Sequence, residues 1–118
     1  MDVQRVPGAA GRVTVTPSGQ IDLATAPELA NALRQARNGD VTEIVVDLGQ
    51  VDFMDSAGVR VLIDAARETD RGGGRLYLSG AHGWVARVLE ITGVGDFLEV
   101  LPGPESDDPP GAAEPNQD

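Results

Sequence analysis

The sequence predicts an α/β domain: a mixed β-sheet of four to five strands with about three helices packed against it. Three observations carry this. Short runs rich in valine and isoleucine alternate with segments of helical periodicity. Glycine-containing punctuation separates the two kinds of segment. The strand–helix–strand crossovers, the one over residues 43–79 above all, favour parallel pairing.

Residues 2–6 read as a short edge strand, and Pro7-Gly8-Ala9-Ala10-Gly11 as a turn. Val13 and Val15 alternate with Arg12, Thr14 and Thr16, which predicts a half-buried strand over 12–16. Pro17-Ser18-Gly19 is expected to interrupt it before Gln20-Ile21 resume the extended path. Thr25-Ala26-Pro27-Glu28 starts a helix, with Thr25 as N-cap, Pro27 in the first turn and Glu28 reaching back as a capping box. Leu29, Ala32, Leu33 and Ala36 share one face, and Asn38-Gly39 stops the helix.

The β-branched run within 43–48 predicts a central strand, and residues 49–54 a loop. A second helix is expected from about Ser56 to Thr69, with Val59, Leu62, Ile63 and Ala66 recurring at helical spacing before Gly72-Gly73-Gly74. Arg75–Ser79 reads as a strand, and about His82 to Thr92 as a third helix with Val85, Val88 and Leu89 inward and Gly93 as its stop. Val94, Phe97, Leu98 and Val100 are expected to close the core. Residues 102–118 hold Pro, Gly, Ala and acid and are expected to be a disordered acidic tail after a domain over 1–101.

Composition narrows the chemistry. A chain of 118 residues is one small domain. Cysteine is absent, so disulfides, thiolate metal sites and thiol catalysis are excluded. No apolar run is long enough to span a membrane. The opening MDVQRVPGAAG has no signal-peptide core, so a cytoplasmic location is expected. The net charge is −10, from 19 acidic against 9 basic residues, all nine of them arginine. Five acids fall in the tail, leaving 14 against 9 in the body, a net −5. Such a body repels phosphate backbones, and four aromatics are too few for a base-stacking platform, so direct nucleic-acid binding is not expected.

The stretch with most chemical content is Asp52-Phe53-Met54-Asp55-Ser56-Ala57-Gly58-Val59. It places the Ser56 hydroxyl where a helix begins, at the carboxyl end of a central strand, where open sheets carry their working loops. A phosphate there would meet the positive helix end and its N–H groups. It would add roughly −1.5 to −2 charges to an acidic patch. Ser56 reads equally as a plain helix cap, and Asp55 is as good a cap residue. A hydrolytic Ser56–His82 pair requires proximity that spacing does not give, and the Gly-x-Ser-x-Gly elbow is missing. Gly72-Gly73-Gly74 precedes a strand rather than a helix, and the chain has no lysine, which excludes a P-loop. Asp47, Asp52 and Asp55 form either a hard-cation site or a solvated acidic rim, the rim being the commoner arrangement. Asp22 reads as a turn residue bonding its own backbone or as part of a binding edge.

Three stretches resemble the STAS family, specifically its single-domain anti-sigma factor antagonists. They are Ser18-Gly19-Gln20-Ile21-Asp22 through Leu29, Val46-Asp47-Leu48 through Val59, and Val85 through Val94. The likeness runs from about residue 3 to 101. It implies a binding protein, not an enzyme, with no cofactor and no metal. The unphosphorylated form would hold an anti-sigma factor serine kinase and so free a sigma factor for transcription. Phosphorylation of the serine matching Ser56 would release it, and a PP2C-type phosphatase would reset the cycle. Asp22, Asp55, Ala57 and Gly58 match partner-binding positions around Ser56. The expected oligomeric state is monomer or weak dimer, with no membrane partner. The same fold also serves as an interaction or scaffold subunit of sensory assemblies and lipid-transport complexes, unswitched by phosphorylation. Two departures stand out. Pro102 opens an acidic tail where many members carry a last helix, and Ala57 stands where a second serine is common, leaving Ser56 the only hydroxyl in this loop.

Overall fold

The computed structural model describes residues 1–8, 10–96 and 98–101. The expected tail and the core role given to Phe97 lie outside the described residues. Six strands form one mixed sheet, one more than the upper expectation. The elements are β1 (Asp2–Pro7), β2 (Arg12–Ile21), α1 (Ala26–Ala36), β3 (Glu43–Asp47), β4 (Gln50–Met54), α2 (Ser56–Arg71), β5 (Arg75–Ser79), α3 (Gly83–Thr92) and β6 (Glu99–Val100). The strand order is β1-β2-β3-β5-β6, with β4 also paired to β2. Only the β1–β2 pair is antiparallel.

β2 explains the extra strand. Its first half pairs with β3, ending at Val15↔Val46, and its second half pairs with β4 from Ser18↔Gln50. Pro17 falls in the gap between these partners, where the donor that proline lacks is not needed on that side. The strand therefore runs unbroken through Pro17-Ser18-Gly19, correcting the expected interruption. Gly19 takes φ +96° where the register shifts, a conformation that glycine adopts without penalty. Residues 50–54, expected as loop, are the strand that takes over β3's place, with Val51 and Met54 buried.

Ile44, Val45 and Val46 are all buried, as a central strand requires. Leu29, Leu33 and Ala36 of α1 and Val59, Leu62 and Ala66 of α2 join one core with Val13, Val15, Ile21, Leu76 and Leu78. α1 and α2 pack on each other, α1 also on β2 and α2 on β4 and β5, while α3 packs on β4. Val85, Val88 and Leu89 point inward as expected, and α3 ends at a left-handed Gly93. Val94 and Leu98 are buried, but Val100 is 44% exposed, because β6 lies at the sheet edge beside β5 alone. The capping box at α1 does not form. The Thr25 N–H is already bonded to Asp22, and Thr25 makes no side-chain cap bond.

Candidate functional site

The carboxyl ends of β2 and β4 carry the residues of interest. β4 ends at Met54, and Asp55 follows in extended conformation as the N-cap of α2. Its Oδ1 accepts from the Ala57 N–H at 2.9 Å. Its carbonyl accepts from the N–H groups of Gly58 and Val59 at 3.1 and 3.3 Å. Its own N–H donates to the Ile21 carbonyl at 3.1 Å, tying the start of α2 to the end of β2. Of the two cap candidates, Asp55 holds the position, and Ser56 is the first helical residue.

Ser56 is exposed, and its hydroxyl makes no hydrogen bond among the described residues. The structure thus separates the two tasks that sequence could not: Asp55 caps the helix and leaves Ser56 free. It also changes the electrostatics expected of a phosphate here. The N–H groups of Ala57, Gly58 and Val59 are already taken by Asp55. A phosphate on Ser56 would find those three N–H groups occupied and a carboxylate on the preceding residue, so the helix end would neutralise less of its charge.

Asp22 lies half-buried just after β2. Its Oδ1 accepts from the N–H groups of Ala24 and Thr25, each at 3.0 Å. The Thr25 hydroxyl accepts from the Asp22 N–H at 2.9 Å and donates to the Gln20 carbonyl at 2.8 Å. Asp22 is therefore a turn residue bonding its own backbone, and the Ile21–Asp55 bond holds that turn beside the α2 start. Ala57 is half-buried. Gly58 is buried, and a Cβ there would lie 2.7 Å from Ile21 Cγ2 and 2.8 Å from Met54 Cγ. The room left by its missing side chain is filled from inside the domain. Its role is to let α2 start close against β2 and β4.

The other candidates do not converge. The His82 ring Nε2 lies 3.2 Å from the Gly49 carbonyl, and no hydrogen bond joins His82 to Ser56. The Asp47 carboxylate accepts from the Gly49 N–H at 2.9 Å. Among the described residues, no three His, Cys, Asp or Glu side chains come together as a metal would require. None of the helices among them is long and apolar enough to cross a membrane. What sequence reasoning missed is the grouping of apolar side chains, since it expected Trp84 to be partly exposed but solitary. Phe53, Trp84 and Ile91 stand exposed next to Ser56. The spacing of Trp84, Val88 and Ile91 along α3 was the available signal.

Comparison with known proteins agrees with this fold. The anti-sigma-B factor antagonist of Staphylococcus aureus is 32% identical over 91 residues, covering 77% of this chain and 84% of its own. The anti-sigma factor antagonist SpoIIAA in its unphosphorylated form superposes with a TM-score of 0.75 at 23% identity, covering 90% of this chain and 91% of that one. The Bacillus cell fate determinant SpoIIAA in its phosphorylated form gives 0.68 at 22% identity, covering 90% and 95%. At those identities the two structures speak for the fold. The STAS domain profile matches residues 1–106, and the chain belongs to the STAS domain family.

Proposed function

We propose that this chain is a phosphoserine-switched anti-sigma factor antagonist. Unphosphorylated, it binds an anti-sigma factor serine kinase in the cytoplasm and so frees a sigma factor. Phosphorylated on Ser56, it lets go, and a PP2C-type phosphatase restores it. The observation that carries the reading is the exposed Ser56 hydroxyl, unbonded at the first turn of a helix that Asp55 caps. A relative 32% identical bears the antagonist's name, and a structural neighbour is known in both phosphorylation states.

The physics fits a substrate that brings no catalytic group of its own. A kinase supplies ATP, Mg²⁺ and the base, so its protein substrate must offer an accessible hydroxyl on a rigid element. Because Asp55, not Ser56, accepts from the N–H groups of Ala57, Gly58 and Val59, phosphorylation of Ser56 removes no cap. Release then comes from charge added beside Asp55, in the groove that Asp55 and Ser56 share.

Candidate kinases with ATP, followed by mass spectrometry of the peptide containing Ser56, test the reading directly. The modification is expected on Ser56. Ser56→Ala should bind the kinase like the unmodified protein, and Ser56→Asp should bind about 100-fold more weakly, as for a charge forced into an interface. Equal affinities of the two variants would sink the switch. Capture of permease or ATPase subunits in place of a kinase would assign the domain to an unswitched scaffold.

A further inference from the structure

Six large apolar side chains are exposed among the described residues: Val6, Leu23, Phe53, Trp84, Ile91 and Val100. Three of them, Phe53, Trp84 and Ile91, share a shallow groove of about 330 Å³ with Asp55 and Ser56. Their exposures are 37%, 54% and 68%. Trp84, Val88 and Ile91 fall at i, i+4 and i+7 along α3, with Phe53 supplied by β4. The chain has only four aromatic residues, and two of them stand here in contact with water. Scattered apolar residues on a surface need no cause, but a contiguous patch marks a contact surface.

We infer that this groove receives an apolar side chain of the protein that modifies Ser56, an inference that rests on the phosphoserine-switch reading. Asp55 and Ser56 are part of the groove itself, so any protein that closes over the hydroxyl covers the groove in the same contact. The surrounding charge selects the occupant. A second copy would bring its own Asp55 against the Asp55 of the groove, and like charges facing each other oppose association. A chain of net charge −10 is also repelled by anionic lipid headgroups. The fitting partner is a protein with an apolar knob flanked by basic residues. The groove supplies grip through excluded water, while Ser56 sets whether that grip is held.

The protein's only tryptophan is Trp84, so 5-fluorotryptophan labelling gives one ¹⁹F resonance, in the groove. Adding the candidate kinases with ADP to the labelled full chain is expected to shift that resonance. Trp84→Ala and, separately, Ile91→Ser should each weaken kinase binding about tenfold or more, the scale of a buried anchor at an interface. Both positions are more than half exposed, so both variants should keep the wild-type circular dichroism. If a kinase phosphorylates wild-type Ser56, yet both variants bind it normally and the resonance stays fixed, the groove inference is overturned and the switch stands. If the resonance shifts but Ser56 is never modified, the switch reading fails instead. If no candidate binds the wild type, the inference falls with its premise. A dimer of the wild type that Trp84→Ala abolishes would give the groove to a second copy and overturn it as well.

Discussion

The two ends of the sheet are built in opposite ways. At the amino ends of β3 and β5 the chain closes on itself. The Gly11 carbonyl accepts from the N–H groups of Thr42 and Glu43 at 2.9 and 3.3 Å, and the Thr42 carbonyl accepts from the Arg75 N–H at 2.9 Å. The Arg12 guanidinium lies 2.9 Å from the Glu43 carboxylate over the same joint. At the carboxyl ends of β2 and β4 one cross-link, from Asp55 N–H to the Ile21 carbonyl, fixes the geometry, and an unbonded hydroxyl and exposed apolar side chains are left to water. One end spends its polar groups on itself. The other bonds its carboxylates to its own backbone and leaves Ser56 and the apolar side chains exposed. Stability should therefore be most sensitive at the closed end, and binding at the open one.

The largest expected effect tests the closed end. A Cβ on Gly74 would lie 2.7 Å from the Thr42 carbonyl oxygen, a backbone atom held in place by Arg75. Gly74→Ala should cost about 3 kcal/mol, the upper range for an overpacked site. Urea unfolding followed by circular dichroism would measure it. Kinase affinity of the remaining folded protein should be unchanged. At the open end, Gly58→Ala presses on side chains, Ile21 and Met54, that can give slightly. It should cost about 2 kcal/mol and, by tilting the first turn of α2, also weaken partner binding. If Gly74→Ala reduced binding as much as Gly58→Ala does, the division of labour between the ends would be wrong.

A smaller effect separates neighbours within the open end. Asp55→Ala removes the bond to the Ala57 N–H and should cost about 1 kcal/mol, the usual value for a lost N-cap. Ser56→Ala removes no bond and should stay within about 0.5 kcal/mol of the parent. Thermal unfolding of the two variants checks the pair. A larger loss at Ser56 would mean that the hydroxyl, not the carboxylate, holds the helix.

Much of this architecture was legible in periodicity. α1, α2 and α3 came from apolar residues at helical spacing, and β3 from an unbroken β-branched run. β4 was not legible, since Gln50-Val51-Asp52-Phe53-Met54 leaves Phe53 exposed and so mixes the apolar pattern. Its place is set by β2 needing a second partner beyond Val15, a tertiary demand. Pro17 misled for the same reason: its missing donor matters only if a neighbour is present to receive it. At the site, Ser56 was visible as a hydroxyl at a helix start, but its freedom depends on which residue caps, and Asp and Ser are equivalent by propensity. Gly58 was visible as a small residue. Only the packing of Ile21 and Met54 shows which side its smallness serves.

The smallest expected effect lies on the flank between the two ends. Glu68 on α2 accepts from Arg37, the C-cap of α1, at 3.3 Å and from Arg71 at 2.6 Å. The hydrogen bond from Arg37, then that from Arg71, holds its carboxyl below the ordinary carboxylate value. A depressed folded pKa means that the unfolded chain takes up the proton first as pH falls. The contribution is therefore complete above the unfolded carboxylate range and fades as pH drops through the lowered folded value. Glu68→Gln should be slightly less stable than the parent at pH 7, and the two should converge in acid. Water screens this exposed pair, so the gap should be smaller than that for Asp55→Ala and should shrink with added salt. Paired urea titrations across that pH range read both trends. A gap that widened in acid would mean that Arg37 and Arg71 do not stabilise the charged form, and α1 would then be held to α2 by its apolar face alone.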